Sequence, residues 1–292
     1  MPAKWQSLAR VNEHERDKYV QFDEPTHIYT VKGETKGYIS VTKFLHDFFP
    51  HFDADKIIRG MMSKPNWKES KWYKPGITVA DIKKQWNDNG KDATTKGTAM
   101  HLAIEQYLNG AEGIIETSML QTPEWRYFKK FWEKYGKDLT PFRTEWEVWS
   151  EEYRLTGSID MIFYRKSDNT YLIYDWKRSK EIKTSSSFGQ KAFYPLDHLP
   201  DTNYWHYSLQ LNVYRWFLET HYGLTISEMY LLVLHEDNTS YQRIPVNRME
   251  EETADMMEAR KRAVEQGCHQ HIVLPMPPRV EMNDAKEDCM IE

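Results

Sequence analysis

A mixed α/β fold, with a central mixed β-sheet flanked by helices and an N-terminal hairpin and helical extension, is what three features of this 292-residue sequence predict. The first is a run of three segments, 143–150, 155–165 and 170–177, rich in aromatic and β-branched residues and joined by short polar turns. The second is a helix-period stripe ahead of them: Met100, Ala103, Ile104, Tyr107 and Leu108 fall at i, i+3, i+4, i+7 and i+8. The third is an amphipathic helix after them, 204–221, followed by strands at 229–234 and 242–246 and a closing helix at 248–265. Such an order buries its apolar faces as a sheet with helices packed on it.

The elements follow in chain order. The first 20 residues are charged and read as a loosely packed helix or arm. Residues 26–31 and 37–41 alternate apolar and polar around Lys32-Gly33-Glu34-Thr35-Lys36, which predicts a β-hairpin. Thr42 reads as the N-cap of a short helix through Phe49, stopped by Pro50. Residues 56–96 carry ten Lys/Arg against four acids, a balance of +6, with Trp67, Trp72, Tyr73 and Trp86 interleaved. That segment fits a solvated helical appendage with snorkelling lysines, or a basic track with stacking platforms for a single strand. A helix then runs from Thr95 to Asn109-Gly110, and another spans 123–136. Residues 178–203 are basic, Ser-rich and without a structural period, and the acidic, Pro-rich tail reads as extended. Three units are expected: an extension over 1–94, a core over 95–267 and a tail over 268–292.

Composition sets bounds. Lys plus Arg is 39 and Asp plus Glu 44, a net charge of -5, which argues against a nonspecific nucleic-acid coat or a polybasic membrane binder. Mean hydropathy is -0.78, and no apolar run approaches the ~20 residues of a membrane helix. The N-terminus mixes both charge signs and lacks the apolar stretch of a secretory signal, so a soluble intracellular protein of cytoplasm or nucleoid/nucleus is expected. Two cysteines, Cys268 and Cys289, allow no disulfide framework and no four-thiolate iron–sulfur cluster.

Several polar residues stand in chemically suggestive places. Asp175 and Lys177 are two apart on a strand, so both leave one face while Trp176 leaves the other. The turn at 166–169 pairs this strand antiparallel to the one carrying Asp160, which places Asp160 close to Asp175 or Lys177. Two acids on adjacent strands, without a basic partner on the first, point to a hard-cation site. His101 and Glu105 share a helix face at i and i+4, as do Gln210 and Tyr214. Alone, each helix pair is better explained by packing or a surface ion pair; the ordered set is not.

That ordered set, Gly97-Thr-Ala-Met-His101-Leu-Ala-Ile-Glu105, Gly157-Ser-Ile-Asp160, Asp175-Trp-Lys177-Arg-Ser179 and Gln210-Leu-Asn-Val-Tyr214, resembles the motifs of PD-(D/E)XK nucleases of the RecB-like exonuclease branch, over residues 95–246. Ser40-Val41-Thr42 ahead of a helix is similar to the N-terminal element of the mitochondrial genome maintenance exonuclease group, as is Asp-Trp-Lys followed one residue on by Ser. The resemblance implies a restriction-endonuclease-like sheet and one or two Mg²⁺ or Mn²⁺ ions held by Asp160, Asp175, His101 and the Trp176 carbonyl. It implies Lys177 on the attacking water and scissile phosphate. Glu105 would order His101 or a water, while Gln210 and Tyr214 brace the site and touch the phosphate. Ser40, Thr42 and Lys43, with Arg178 and Ser179, are the implied substrate contacts. Two departures stand out: Ser158-Ile159 replaces the Pro before the first Asp, and Arg178 stands where close relatives tend to have Thr.

The resulting expectation is a divalent-metal-dependent DNA exonuclease acting on single strands or DNA ends in replication, repair or recombination, with a helicase or single-strand-binding protein as a further partner and no membrane association. A structure-specific endonuclease and a catalytically silent nucleic-acid-binding module are the alternatives.

Overall fold

The computed structural model describes residues 3–186 and 189–272; Cys289 and most of the expected tail lie outside them. After α1 (Ser7–Val11), strands β1 (Val20–Asp23) and β2 (Ile28–Val31) pair antiparallel. The hairpin is therefore displaced from the one expected at 26–31 and 37–41. Pro25 cannot continue a ladder, and the Asp23 carboxylate accepts the Thr26 N–H at 3.2 Å, closing the turn at 24–27. Lys32, Gly33 and Gly37 then take positive φ (51°, 82° and 84°), which steers β3 (Ile39–Ser40) away from the hairpin and into the main sheet. Ser40, not Thr42, caps α2 (Val41–His46): its Oγ accepts the Lys43 N–H at 3.1 Å, and Val41 is already helical.

The N-terminal arm is docked rather than loose. Gln6 Nε2 donates to Glu105 (2.9 Å), Ser7 Oγ to the Asn109 carbonyl (2.9 Å), and Asn109 Oδ1 accepts the Leu8 N–H (2.9 Å). Asp17 accepts from Arg143 Nη1 at 2.6 Å and from Trp146 Nε1 at 2.8 Å. Asn109, Arg143 and Trp146 are buried, and buried polar groups must find partners; the arm supplies them.

Helices α3 (Ala54–Met62) and α4 (Val79–Leu108) form the extension. α4 starts at a capping box, Thr78 with Asp81, and runs unbroken for 30 residues, about 45 Å at 1.5 Å per residue. The helix expected from Thr95 is thus its last half, and residues 94 and 95 lie within it. Ile58 and Ile82 are fully buried along the α3–α4 seam. Phe52, Trp72 and Trp86 pack on one another (6.1 and 5.8 Å between centroids), as do Trp67 and Tyr73 (5.9 Å). Residues 87–96 of α4 are exposed.

Beyond α5 (Thr117–Leu120) and α6 (Pro123–Tyr135) come the predicted three strands, β4 (Thr140–Ser150), β5 (Leu155–Arg165) and β6 (Thr170–Lys177). Helix α7 (Asn203–His221), strands β7 (Ile226–Val233) and β8 (Gln242–Val246), and α8 (Glu250–Glu265) complete the fold. The main sheet runs β3-β5-β6-β7-β8, with β4 also pairing with β5; β3–β5 and β6–β7 are parallel, the other pairs antiparallel. One apolar core joins Ile159, Ile162, Ile173 and Leu231 to α2, α7 and α8; the other joins Met161, Phe163, Tyr174 and Trp176 to α4 and α6. The sheet is the middle layer of three, a mixed sheet flanked by helices. No helix among the described residues is long and apolar enough to cross a membrane.

Candidate active site

The site forms where β5 and β6 part. Their ladder runs from Arg165↔Thr170 to Met161↔Tyr174 and stops there; one more step would set Asp160 opposite Asp175. In place of that rung, Asp160 Oδ2 accepts the Trp176 N–H at 2.8 Å. Toward the start of β5, β3 pairs with Leu155 and Thr156, so residues 157–160 lie in the gap between β3 and β6. Motif residues from separate strands line one opening for this reason.

Asp175 is 4% exposed, and Lys177 Nζ lies 2.7 Å from its Oδ2. Trp176 leaves the opposite face for the α6 core, near Phe128 and Phe131, as strand alternation requires. Burial, then the neighbouring Asp160, push the Asp175 carboxyl above its usual range against the pull of Lys177. Burial also pushes Asp160 up. For Lys177 burial works downward, but Asp175 and then Asp160 outweigh it and hold the ammonium above its usual value.

His101 reaches the gap from α4. Its Nε2 lies 2.9 Å from the Trp176 carbonyl; a carbonyl only accepts, so Nε2 carries the proton and Nδ1 faces the carboxylates. Nδ1 is 3.6 Å from Asp160 Oδ2 and 3.6 Å from Glu145 Oε1. Burial alone would lower the imidazole, but Asp160 and then Glu145 outweigh it and push it up to about 9. The Trp176 carbonyl, expected as a metal ligand, already spends one lone pair orienting His101.

Glu145 was absent from the sequence expectation. Thr144 touches Asn109 on α4, whereas Trp146 lies in the α7-side core. Two residues apart, a regular strand would place them on one face. Glu145 between them has φ of 40°, a left-handed backbone costing about 1–2 kcal/mol in a non-glycine residue, and this turns the strand over. Ser158 Oγ donates to Glu145 Oε2 at 3.1 Å. Ligand atoms of His101, Glu145 and Asp160 all lie within 4.8 Å of one another. The acids at i and i+2 on β4, Glu145 and Glu147, were the only sequence signal.

Helix α7 closes the other side. Gln210 Nε2 donates to Tyr214 Oη (3.1 Å) and lies 3.4 Å from Thr42 Oγ1. Tyr214 packs so closely on Gly157 that a β-carbon there would lie 2.5 Å from its ring. The glycine of Gly157-Ser-Ile-Asp160 is required by that approach. The remaining expected residues make the following contacts. Glu105, pushed up to about 7 first by burial, bonds Gln6 and lies 3.4 Å from Thr144 Oγ1. Arg178, 7% exposed, is paired with Glu124 (2.9 Å) and Glu236 (2.7 Å). Lys43 reaches Gln270 at 3.1 Å, and Ser179 donates to the Glu181 carbonyl at 3.0 Å.

The donor set fits a hard divalent cation: carboxylate oxygens and an imidazole nitrogen, with two acids whose burial disfavours their charge until a cation offsets it.

A comparison with curated proteins returns no match. Among solved structures, one described as "Crystal structure of SSO0001" aligns over 79% of this chain and 78% of that chain at 13% identity, with a TM-score of 0.29. The family model for the PD-(D/E)XK nuclease superfamily matches residues 78–289. On that match, the chain belongs to the PD-(D/E)XK nuclease superfamily of metal-dependent hydrolytic nucleases.

Proposed function

We propose that this protein is a DNA exonuclease of the RecB-like branch, grouped with the mitochondrial genome maintenance exonucleases, hydrolysing single strands or DNA ends in replication, repair or recombination. What supports the reading above all is the convergence of His101, Glu145, Asp160 and the Asp175–Lys177 pair at the parting of β5 and β6.

His101, Glu145, Asp160 and Asp175 would hold Mg²⁺ or Mn²⁺, which supplies Lewis-acid polarisation of a phosphoryl oxygen and makes a water a nucleophile near neutral pH. Lys177 stays an ammonium between its acidic neighbours. It therefore donates to the attacking water and offsets charge on the scissile phosphate rather than removing a proton. With Nε2 held on the Trp176 carbonyl, His101 would bind the cation by giving up its Nδ1 proton, which the carboxylates hold in the cation's place. Gln210, bridging Thr42 and Tyr214, would brace the opening that the phosphate enters. The +6 segment over 56–96 offers a basic path for the strand, whereas Lys177, Arg178, Lys180 and Lys183 are paired with Asp175, Glu124 and Glu236, Asp237 and Glu181. A helicase or single-strand-binding protein would deliver that strand.

The test uses 5′- and 3′-labelled single- and double-stranded DNA, linear and circular, with Mg²⁺, Mn²⁺ or EDTA. Metal-dependent release from ends is expected, abolished in Asp175→Asn and Lys177→Ala. Undiminished cleavage by both variants would sink the assignment of the site, and cutting of circles would make the enzyme an endonuclease.

A further inference from the structure

We propose that Tyr207 is a positioning residue for Lys177, acting through the face of its ring and not through its hydroxyl. The inference rests on the nuclease reading above and extends its site by one helical turn. Lys177 Nζ sits 4.3 Å from the centroid of the Tyr207 ring, inside the range of a cation–π contact, while the same atom lies 2.7 Å from Asp175 Oδ2. Its side chain is only 19% exposed, so water competes weakly with either partner.

The placement belongs to a pattern. Tyr207, Gln210 and Tyr214 fall at i, i+3 and i+7 on α7, one stripe of the helix, and each member meets a different part of the site. Tyr214 lies on Gly157 of β5, Gln210 on Thr42 of α2, and Tyr207 on Lys177 of β6. The stripe thus registers one helix against the three segments that build the opening.

The second partner matters because Asp175 is shared. A carboxylate that also serves a cation holds the ammonium less firmly, and a lysine tethered by that carboxylate alone can swing on its four-carbon stem. The ring face is a second fixed point that no cation competes for. Phenylalanine preserves such a face; leucine removes it while keeping an apolar side chain.

Two measurements on the full chain test this. Steady-state kinetics on single-stranded DNA with Mg²⁺ should show kcat about tenfold lower in Tyr207→Leu with KM within about twofold, and Tyr207→Phe within about twofold of wild type in both. Limited acetic anhydride labelling, read by peptide mass mapping, should modify Lys177 several-fold faster in Tyr207→Leu but not in Tyr207→Phe. Wild-type kcat in Tyr207→Leu, an equal loss in Tyr207→Phe, a loss confined to KM, or unchanged labelling would each overturn the proposal. Labelling as expected in a chain that cuts no nucleic acid would leave the Tyr207–Lys177 contact standing and remove the nuclease reading instead.

Discussion

Replacing Gly157 by alanine should expose how α7 is held to β5. The glycine has no positive φ, so alanine suits the backbone and by itself would stabilise by about 0.4–1 kcal/mol through the unfolded chain. The added β-carbon, however, would lie 2.5 Å from Tyr214 Cε1 and 2.8 Å from its Oη. Carbon contacts are comfortable at about 3.5–4.0 Å, so the ring must retreat by about 1 Å. Tyr214 is 3% exposed, with no room to move without disturbing its neighbours, and overpacking of this kind costs about 1–3 kcal/mol. The Gln210–Tyr214 bond at 3.1 Å is strained or lost as well, adding about 0.5–1.5 kcal/mol. The clash outweighs the entropic gain, and a net loss of about 1–3 kcal/mol is expected. Urea denaturation of Gly157→Ala, Tyr214→Leu and the double variant measures it. In the leucine background the ring is gone, so alanine should be neutral or mildly stabilising. An equal cost in both backgrounds would refute the reasoning, because the penalty could not then come from the ring.

Two further outcomes follow from the buried polar groups. Asp17→Ala leaves Arg143, 6% exposed, without its carboxylate and Trp146 Nε1 without its acceptor; a loss of about 3–5 kcal/mol in urea is expected, and a change below about 0.5 kcal/mol would show that the arm does not anchor that strand. His206 stacks on Phe49 at 3.8 Å between centroids, and burial lowers its pKa below 6.5 despite Asp201. Above 6.5 both folded and unfolded forms are neutral; as pH falls through 6.5 the unfolded chain binds the proton first, so stability drops. Between pH 7.5 and 5.0 the wild type should therefore lose more stability than His206→Phe, which keeps the stack; parallel curves would contradict this.

The chemistry of the site follows from how strands part. Hydrogen bonding between β5 and β6 stops one rung short of Asp160 and Asp175, and the missing rung is replaced by a side chain on a backbone N–H. Glu145 sits between Thr144↔Met161 and Trp146↔Ile159, the rungs that flank Asp160 on its other neighbour. Irregularity on both sides of one aspartate is what concentrates acids, a lysine and a histidine where a regular sheet would bury apolar side chains. Such concentration of charge is unfavourable in the apo fold, as the raised carboxyls show, and it is the expected cost of a preorganised cation site.

By itself the sequence determined the three central strands, the helices α6, α7 and α8, the sharing of one face by Asp175 and Lys177, and the nearness of Asp160. Periodicity, a tight turn and strand alternation are local or nearly so, and antiparallel register propagates from the turn at 166–169 without further information. It did not determine the hairpin register, because two turn-forming stretches, 24–27 and 32–37, compete and only the parallel docking of Ile39 and Ser40 on β5 selects between them. The cap of α2 was misplaced by two residues for the same reason: that docking sets where the backbone leaves the sheet. Nor did it show that the charged arm is docked, since the demand comes from Asn109, Arg143 and Trp146, about 100 or more residues away. Glu145 was hidden because its orientation depends on a backbone turned against the strand's own period. The partners of Arg178, an implied substrate contact, were equally hidden, because Glu124 and Glu236 lie more than 50 residues away on either side. Where a residue's neighbours in sequence set its direction, the sequence sufficed; where a distant partner or a strained φ set it, only the packed chain could decide.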